Sequence, residues 1–232
     1  MERYGDFLGR VSAFEVAELD LGKSYFRGRA SLADKIDEEN RLKAFFGDTV
    51  VFDLDEAVKN RISALADRLY SHAGDCLAER LSGSTLHMTL HDLSNGTNLS
   101  EIQGKMAENE EKIRRTSLPS RTIKMKSTFV FNMVNTSLVL GLVPAGEGEH
   151  IKLMELYDIF DGILEAKYPL TPHITLAYFC PTGFGDEAKA RLEATVNKIN
   201  LDSQFEIILD TKKLHYQHFF SMNDYRNIVD FE

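Results

Sequence analysis

The chain has 232 residues, an apolar fraction of 43% and a formal charge of -9, enough for one large domain or two small lobes around a real core. The acidic balance excludes a protein that coats long nucleic acid, because affinity for a phosphate backbone comes mainly from Lys and Arg neutralisation. A small or end-recognised phosphate substrate stays compatible. Cys76 and Cys180 are too few for a disulfide framework and lack partners at zinc spacing, so both are expected to be buried thiols.

Met1 to Asp6 do not show the basic-then-apolar order of a secretory signal, and a cytoplasmic protein is expected. The longest apolar stretches, Thr128 to Val134 and Ser137 to Val143, are too short to cross a membrane. Residues 1–46 read as an N-terminal extension that packs on the main domain or recognises something particular to this protein. Within it, Leu21-Gly22-Lys23-Ser24 resembles the end of a phosphate-binding loop, but Ala17 stands where that motif needs a glycine, so the nucleotide-loop reading is set aside. Residues 47–232 read as a single bilobal domain.

From Thr49 the pattern sharpens. Thr49 to Leu54 is a short β-branched and aromatic run, and Asp55 then caps a helical pattern through Val58, Ile62, Leu65 and Leu69 that ends near Gly74. A short helical stretch is predicted over Asp75 to Leu81, then a strand from Thr85 to Leu90. Leu99 to Arg115 is helix-compatible and stops near Pro119. Thr122 to Val134 and Ser137 to Val143 read as a hairpin joined at Asn135. A helix over Gly146 to Tyr168, a strand over Leu170 to Phe179, a helix over Asp186 to Ile199 and strands over Gln204 to Leu209 and Leu214 to Met222 complete the pattern.

The order helix, strand, helix, strand, strand therefore occurs twice, at an offset of about 86 residues. His87 falls on His173, Thr89 on Thr175 and Lys126 on Lys212. The expected fold class is α+β: a bilobal, pseudo-symmetric duplication with two antiparallel sheets facing a central cleft and helices on the outer faces.

The matching strands read His87-Met88-Thr89-Leu90 and His173-Ile174-Thr175-Leu176. Side chains alternate along a strand, so each histidine shares a face with its threonine while the apolar residues take the other. An apolar residue, then threonine, then leucine follows a histidine by chance in roughly 0.3% of cases on average residue usage. Two such matches are expected by luck in about one chain in several thousand, before their similar surroundings are counted.

With these paired motifs the sequence resembles the 2H phosphoesterase superfamily, whose mark is two H-x-[ST]-x motifs on paired strands of a pseudo-symmetric bilobal α+β fold. The resemblance runs from about Thr49 to Phe231. It implies a fold and a reaction type, spanning cyclic nucleotide phosphodiesterases, proteins named 2′-5′ RNA ligases, an RNA exonuclease and 2′-5′ oligoadenylate phosphodiesterases, and it implies no single substrate.

The residues carry the chemistry by themselves. An imidazole pair can stand with one ring neutral and one protonated near neutral pH, one to take a proton and one to give it. Thr89 and Thr175 offer hydroxyls to the nonbridging phosphate oxygens, and neither a cofactor nor a metal is required. The predicted substrate is a small nucleotide or an RNA-end phosphodiester. Lys126, on the polar side of its strand, is a candidate to attract phosphate. Phe179, on the His173 face of a regular strand, is a candidate to stack on a base, with Tyr178 pointing to the core. His91 continues the His87 face and ends the strand in solvent or against substrate. A zinc reading of His87 and His91 fails, because no glutamate lies between them and the segment is not helical. His215 and His218 belong to the hairpin of the second repeat. The competing reading is a nucleotide or RNA-end binding module without turnover.

Overall fold

In the computed structural model, which describes residues 2–14, 19, 21–22 and 25–231, two four-stranded antiparallel sheets carry the architecture. Lys23, Ser24 and Ala17, which bear on the phosphate-loop reading, lie outside the described residues. The helices among the described residues are α1 (Tyr4–Ser12), α2 (Glu56–Ala73), α3 (Leu99–Arg114), α4 (Glu147–Asp161) and α5 (Asp186–Asn200). The strands are β1 (Phe46–Asp53), β2 (His87–Gly96), β3 (Thr122–Met133), β4 (Ser137–Pro144), β5 (His173–Tyr178), β6 (Glu206–Asp210), β7 (Leu214–Ser221) and β8 (Asp224–Asp230).

The first sheet has the order β2-β1-β7-β8 and the second β5-β4-β3-β6. The duplicated unit is thus strand, helix, strand: β1-α2-β2 in one sheet and β4-α4-β5 in the other. The hairpins are exchanged between repeats. β3 and β4 leave the first repeat to pair with β5, while β7 and β8 return from the chain end to pair with β1. His215 and His218 therefore sit in the sheet of His87, and Lys126 in the sheet of His173. This corrects the picture of two lobes each built from one contiguous half; pairing partners are decided by long-range contacts that a local pattern does not contain.

Each sheet turns an apolar face to helices. α3 lies on β1 and β2, α5 on β3, and α2 packs along α5. The first contact is pinned by a buried carboxylate: Asp48 accepts from Ser94 N at 2.7 Å, Asn109 Nδ2 at 2.9 Å and the Tyr216 hydroxyl at 2.8 Å. A buried polar group of this kind costs little only because its partners are complete.

Helix α4 stops at Asp161, short of the predicted Tyr168, where Gly162 ends it. β8 is not predicted by its composition, since its residues alternate poorly and are mostly half-buried or exposed, as befits an edge strand. The extension is part of the core. Phe7, Val11, Leu32 and Ile36 are fully buried, and Arg29 N donates to Asn135 O in the β3–β4 turn at 2.9 Å. That turn places Val134 and Asn135 at positive φ of 47° and 61°. Both cysteines are buried, and burial pushes the Cys76 thiol up to about 12 and Cys180 to about 11, which leaves them unreactive. None of the helices is long and apolar enough to cross a membrane among the described residues.

Candidate active site

β2 and β5 are the outer strands of their sheets and touch one another. Each opens with its motif histidine, and His87, Thr89, His173 and Thr175 are all half-buried, while Met88, Leu90, Ile174 and Leu176 are buried. The alternation read from the sequence therefore holds through the motifs.

The two imidazoles are held in the same way. His87 Nδ1 lies 2.7 Å from Thr85 O, and His173 Nδ1 lies 2.7 Å from Thr171 O. A carbonyl oxygen only accepts, so Nδ1 carries the hydrogen in both rings. Nε2 is left to take or give a proton in each, which is the state a general acid and base pair needs. Burial pushes both imidazoles below their ordinary value, partly opposed by these carbonyls and by the charge of Asp92. The charge of His173 further depresses His87, so the rings are near enough to feel one another. A nearby phosphate dianion or monoanion would reverse the desolvation effect and favour protonation of one ring.

Beyond the leucine of each motif the strands are bulged at the same place. The register passes from Thr89 opposite Val51 to His91 opposite Val50, leaving Leu90 as the extra residue. In β5 it passes from Thr175 opposite Val139 to Ala177 opposite Leu138, leaving Leu176 extra. A bulge reverses which side chains point to which face. Asp92 and Tyr178 consequently join the histidine face, and His91 and Phe179 are turned away from it.

Two predicted roles are corrected on this ground. Phe179 is 0% exposed and packed against Phe26 and Phe184 with ring centroids at 4.7 and 6.1 Å, so no face of it is free to stack on a base. His91 is 2% exposed and pairs through Nε2 with Asp161 at 3.2 Å, against the Tyr157 ring, so it is neither a solvated strand end nor a substrate contact. Tyr178 is buried, 8% exposed, as the core reading expects, with the Lys35 ammonium 5.5 Å from its ring and its hydroxyl donating to Met222 Sδ at 3.1 Å.

Lys126 is exposed on the face of β3 that continues, across β4, to His173. The cation whose field lowers His173, however, is Lys35. It comes from the extension and rests over the rings of Phe45, at 5.0 Å, and Tyr178. The extension reaches the same histidine a second time. Arg10 donates to Thr171 Oγ1 at 3.0 Å and to Leu170 O at 2.8 Å, bracing the residue whose carbonyl orients His173.

On the other side, His87 opens onto a cavity of about 380 Å³ walled by Asp53, His215, Gln217, Tyr225 and Asn227 among others. The Tyr225 ring meets His87 edge to face at a centroid distance of 4.9 Å. His215 Nδ1 pairs with Asp230 at 2.6 Å, and His218 Nε2 lies 3.1 Å from the Tyr216 hydroxyl. Among the described residues no group of three or more His, Cys, Asp or Glu is arranged to hold a metal ion.

Thr85 and Thr171 carry a signal in the sequence that the motif pattern leaves out: they repeat at the same offset as the histidines, two residues ahead of each. Lys35, Asp92, Tyr178 and Tyr225 have no such signal, since bulges and distant elements bring them in.

No family model matches this sequence, and no curated protein does. Solved structures do. The conserved protein of unknown function ATU0111 from Agrobacterium tumefaciens str. C58 is similar with a TM-score of 0.72 and 18% identity, over 89% of this chain and 94% of that one. The two share a fold. TT0787 of Thermus thermophilus gives 0.48 and 15% identity over 80% of this chain and 96% of that one. E. coli LigT complexed with NADP+ gives 0.42 and 14% over 79% and 94%. The features on which the 2H resemblance rests, an H-x-T-L strand in each repeat and a duplicated α+β architecture, are both present.

Proposed function

We propose that this chain is a metal-independent 2H phosphodiesterase acting on 2′,3′-cyclic phosphates or on short 2′-5′ or 3′-5′ nucleotide and RNA-end phosphodiesters. The observation that carries this reading is the duplicated Nδ1 hydrogen bond to Thr85 O and Thr171 O at 2.7 Å. It leaves two free Nε2 atoms on adjoining strands, and binding alone does not call for two oriented, titrating rings.

On a 2′,3′-cyclic phosphate, the neutral Nε2 removes a proton from water as the water oxygen bonds to phosphorus. The protonated Nε2 of the other ring delivers its proton to the ribose oxygen whose bond to phosphorus breaks. The product is a nucleoside monophosphate, and the pair is left with its protons exchanged. The hydroxyls of Thr89 and Thr175 donate to the nonbridging oxygens, whose charge is held in the transition state. Lys35, and more distantly Lys126, supply positive potential on the His173 side.

The test is hydrolysis of 2′,3′-cyclic nucleotides and 2′-5′ linked dinucleotides by the wild type in the presence of a chelator, with His87→Ala and His173→Ala alongside. Each substitution is expected to lower kcat by about 10² to 10⁴, and the wild-type profile against pH to be bell-shaped. Turnover undiminished in both variants removes these rings from the mechanism. A cyclic nucleotide bound tightly and recovered unchanged from the wild type would instead favour a binding module.

A further inference from the structure

His87 and His173 are oriented by the same contact, yet the carbonyls that make it are held by different means. Thr85 closes a short helical turn over Gly83–Thr85, and both its N–H and its hydroxyl donate to Ser82 O, at 3.0 and 2.9 Å. The carbonyl that orients His87 is thus fixed by its own turn. Thr171 has no such turn. Residues 169–172 lie in neither helix nor strand, and the second sheet takes hold only at Pro172 O, which accepts from Leu142 N at 3.0 Å.

What holds Thr171 comes from the extension. Arg10 Nη1 donates to Thr171 Oγ1 at 3.0 Å and Nη2 to Leu170 O at 2.8 Å, so the guanidinium grips the Leu170–Thr171 peptide and the Thr171 side chain together. Glu2 takes the other edge of the fork, accepting from Nε at 3.0 Å and from Nη2 at 2.7 Å, and fixes the plane of the group. A planar fork directs its donors along set lines, which a lysine ammonium does not. The helix that carries Arg10 is itself docked. Phe7 and Val11 are buried, and the Tyr4 hydroxyl donates to Pro144 O, at the end of β4, at 3.3 Å.

We infer that Arg10 is a positioning residue for His173, so that helix α1 of the extension belongs to the catalytic apparatus of one histidine and not of the other. Its effect on turnover rests on the phosphodiesterase reading. With Arg10 in place, the Thr171 carbonyl accepts from Nδ1 and keeps the hydrogen off Nε2 in the neutral ring. Without it Thr171 is free to turn, the carbonyl leaves Nδ1, and the ring is free to rotate and to adopt the Nε2–H tautomer. The loss also removes an acceptor that favours the charged ring, so His173 then protonates at lower pH. His87 keeps its tautomer, since the Thr85 turn does not depend on Arg10.

The experiment uses the full chain with Arg10→Met and, because that change can also loosen α1, with Thr171→Val, which removes one Arg10 contact and leaves the helix untouched. Ring nitrogen and proton resonances of the two imidazoles report their tautomers without substrate. Turnover of a 2′,3′-cyclic nucleotide gives kcat, KM and the pH profile. In both variants the Nε2–H tautomer is expected to grow at His173 alone, more in Arg10→Met than in Thr171→Val. In Arg10→Met kcat should fall about tenfold to a hundredfold with KM little changed. One limb of the bell should move to lower pH while the other stays: the acid limb if His173 is the base, the alkaline limb if it is the acid. A His173 tautomer that moves in Arg10→Met only, in neither variant, or no more than that of His87 overturns the proposal, as does a moved tautomer with kcat unchanged. If the wild type hydrolyses no cyclic nucleotide, the phosphodiesterase reading falls by itself, and the tautomers alone decide whether Arg10 positions the ring.

Discussion

Strands β2 and β5 are built by one recipe and surrounded differently. In both, a threonine carbonyl two residues upstream fixes the imidazole, a threonine follows on the same face, and a bulge at the next leucine turns the strand over. After the bulge the copies part. Asp92 occupies in β2 the place that Tyr178 occupies in β5, and buried His91 corresponds to buried Ala177. Around β2 the walls are internally paired and polar; around β5 stand Lys35 and the Arg10 brace from the extension. A symmetric pair of titrating rings thus sits in an asymmetric cleft, and that asymmetry is what can orient a substrate with unlike ends.

The comparison can be broken hardest at Phe179, whose place in β2 is taken by Leu93. Phe179→Ala should cost about 3 to 5 kcal/mol of stability, as for a large aromatic removed from a packed core, with KM for any nucleotide unchanged in the fraction that stays folded. Chemical denaturation and saturation kinetics check this, and a raised KM with unaltered stability would return Phe179 to the cleft. Next come the threonines. Thr89→Val and Thr175→Val should each reduce kcat by roughly 10² if each hydroxyl holds transition-state charge; a loss at one position only would mean that a single half of the repeat carries the phosphate.

A smaller effect separates the two sides. Lys35→Met should raise KM several-fold and, by removing a positive neighbour, raise the pKa of His173 while leaving that of His87 nearly in place. Histidine proton resonances followed against pH would report both rings, and equal movement of the two would contradict the assignment of Lys35 to one side. The mildest expected effect is on stability. Both rings are held below 6.5 by burial, so as pH falls from that value the unfolded chain binds protons before the native one, and native stability declines. Thermal melts from about pH 7.5 to about pH 5.5 should therefore fall more steeply for the wild type than for His87→Gln/His173→Gln.

Much of this was carried by residues close together in the chain. The histidine and threonine of each motif share a face because strand alternation is a local property, and their repetition at one offset disclosed the duplication before any contact was known. The helix-strand order followed from apolar spacing and from Asp55 and Gly74 at the ends of α2.

Tertiary structure alone decided the rest. Alternation assumes an unbroken strand, so it places Phe179 and His91 on the histidine face; one inserted leucine per strand turns both away, and a bulge has no signature in composition. The exchange of hairpins between sheets, which set His215 and Gln217 beside His87, depends on pairing across more than a hundred residues. Lys35 and Arg10 reach His173 because the extension folds back over the second sheet, and the energy that holds it there comes from burying Phe7, Leu32 and Ile36, a burial that apolar residues predict in kind but not in place.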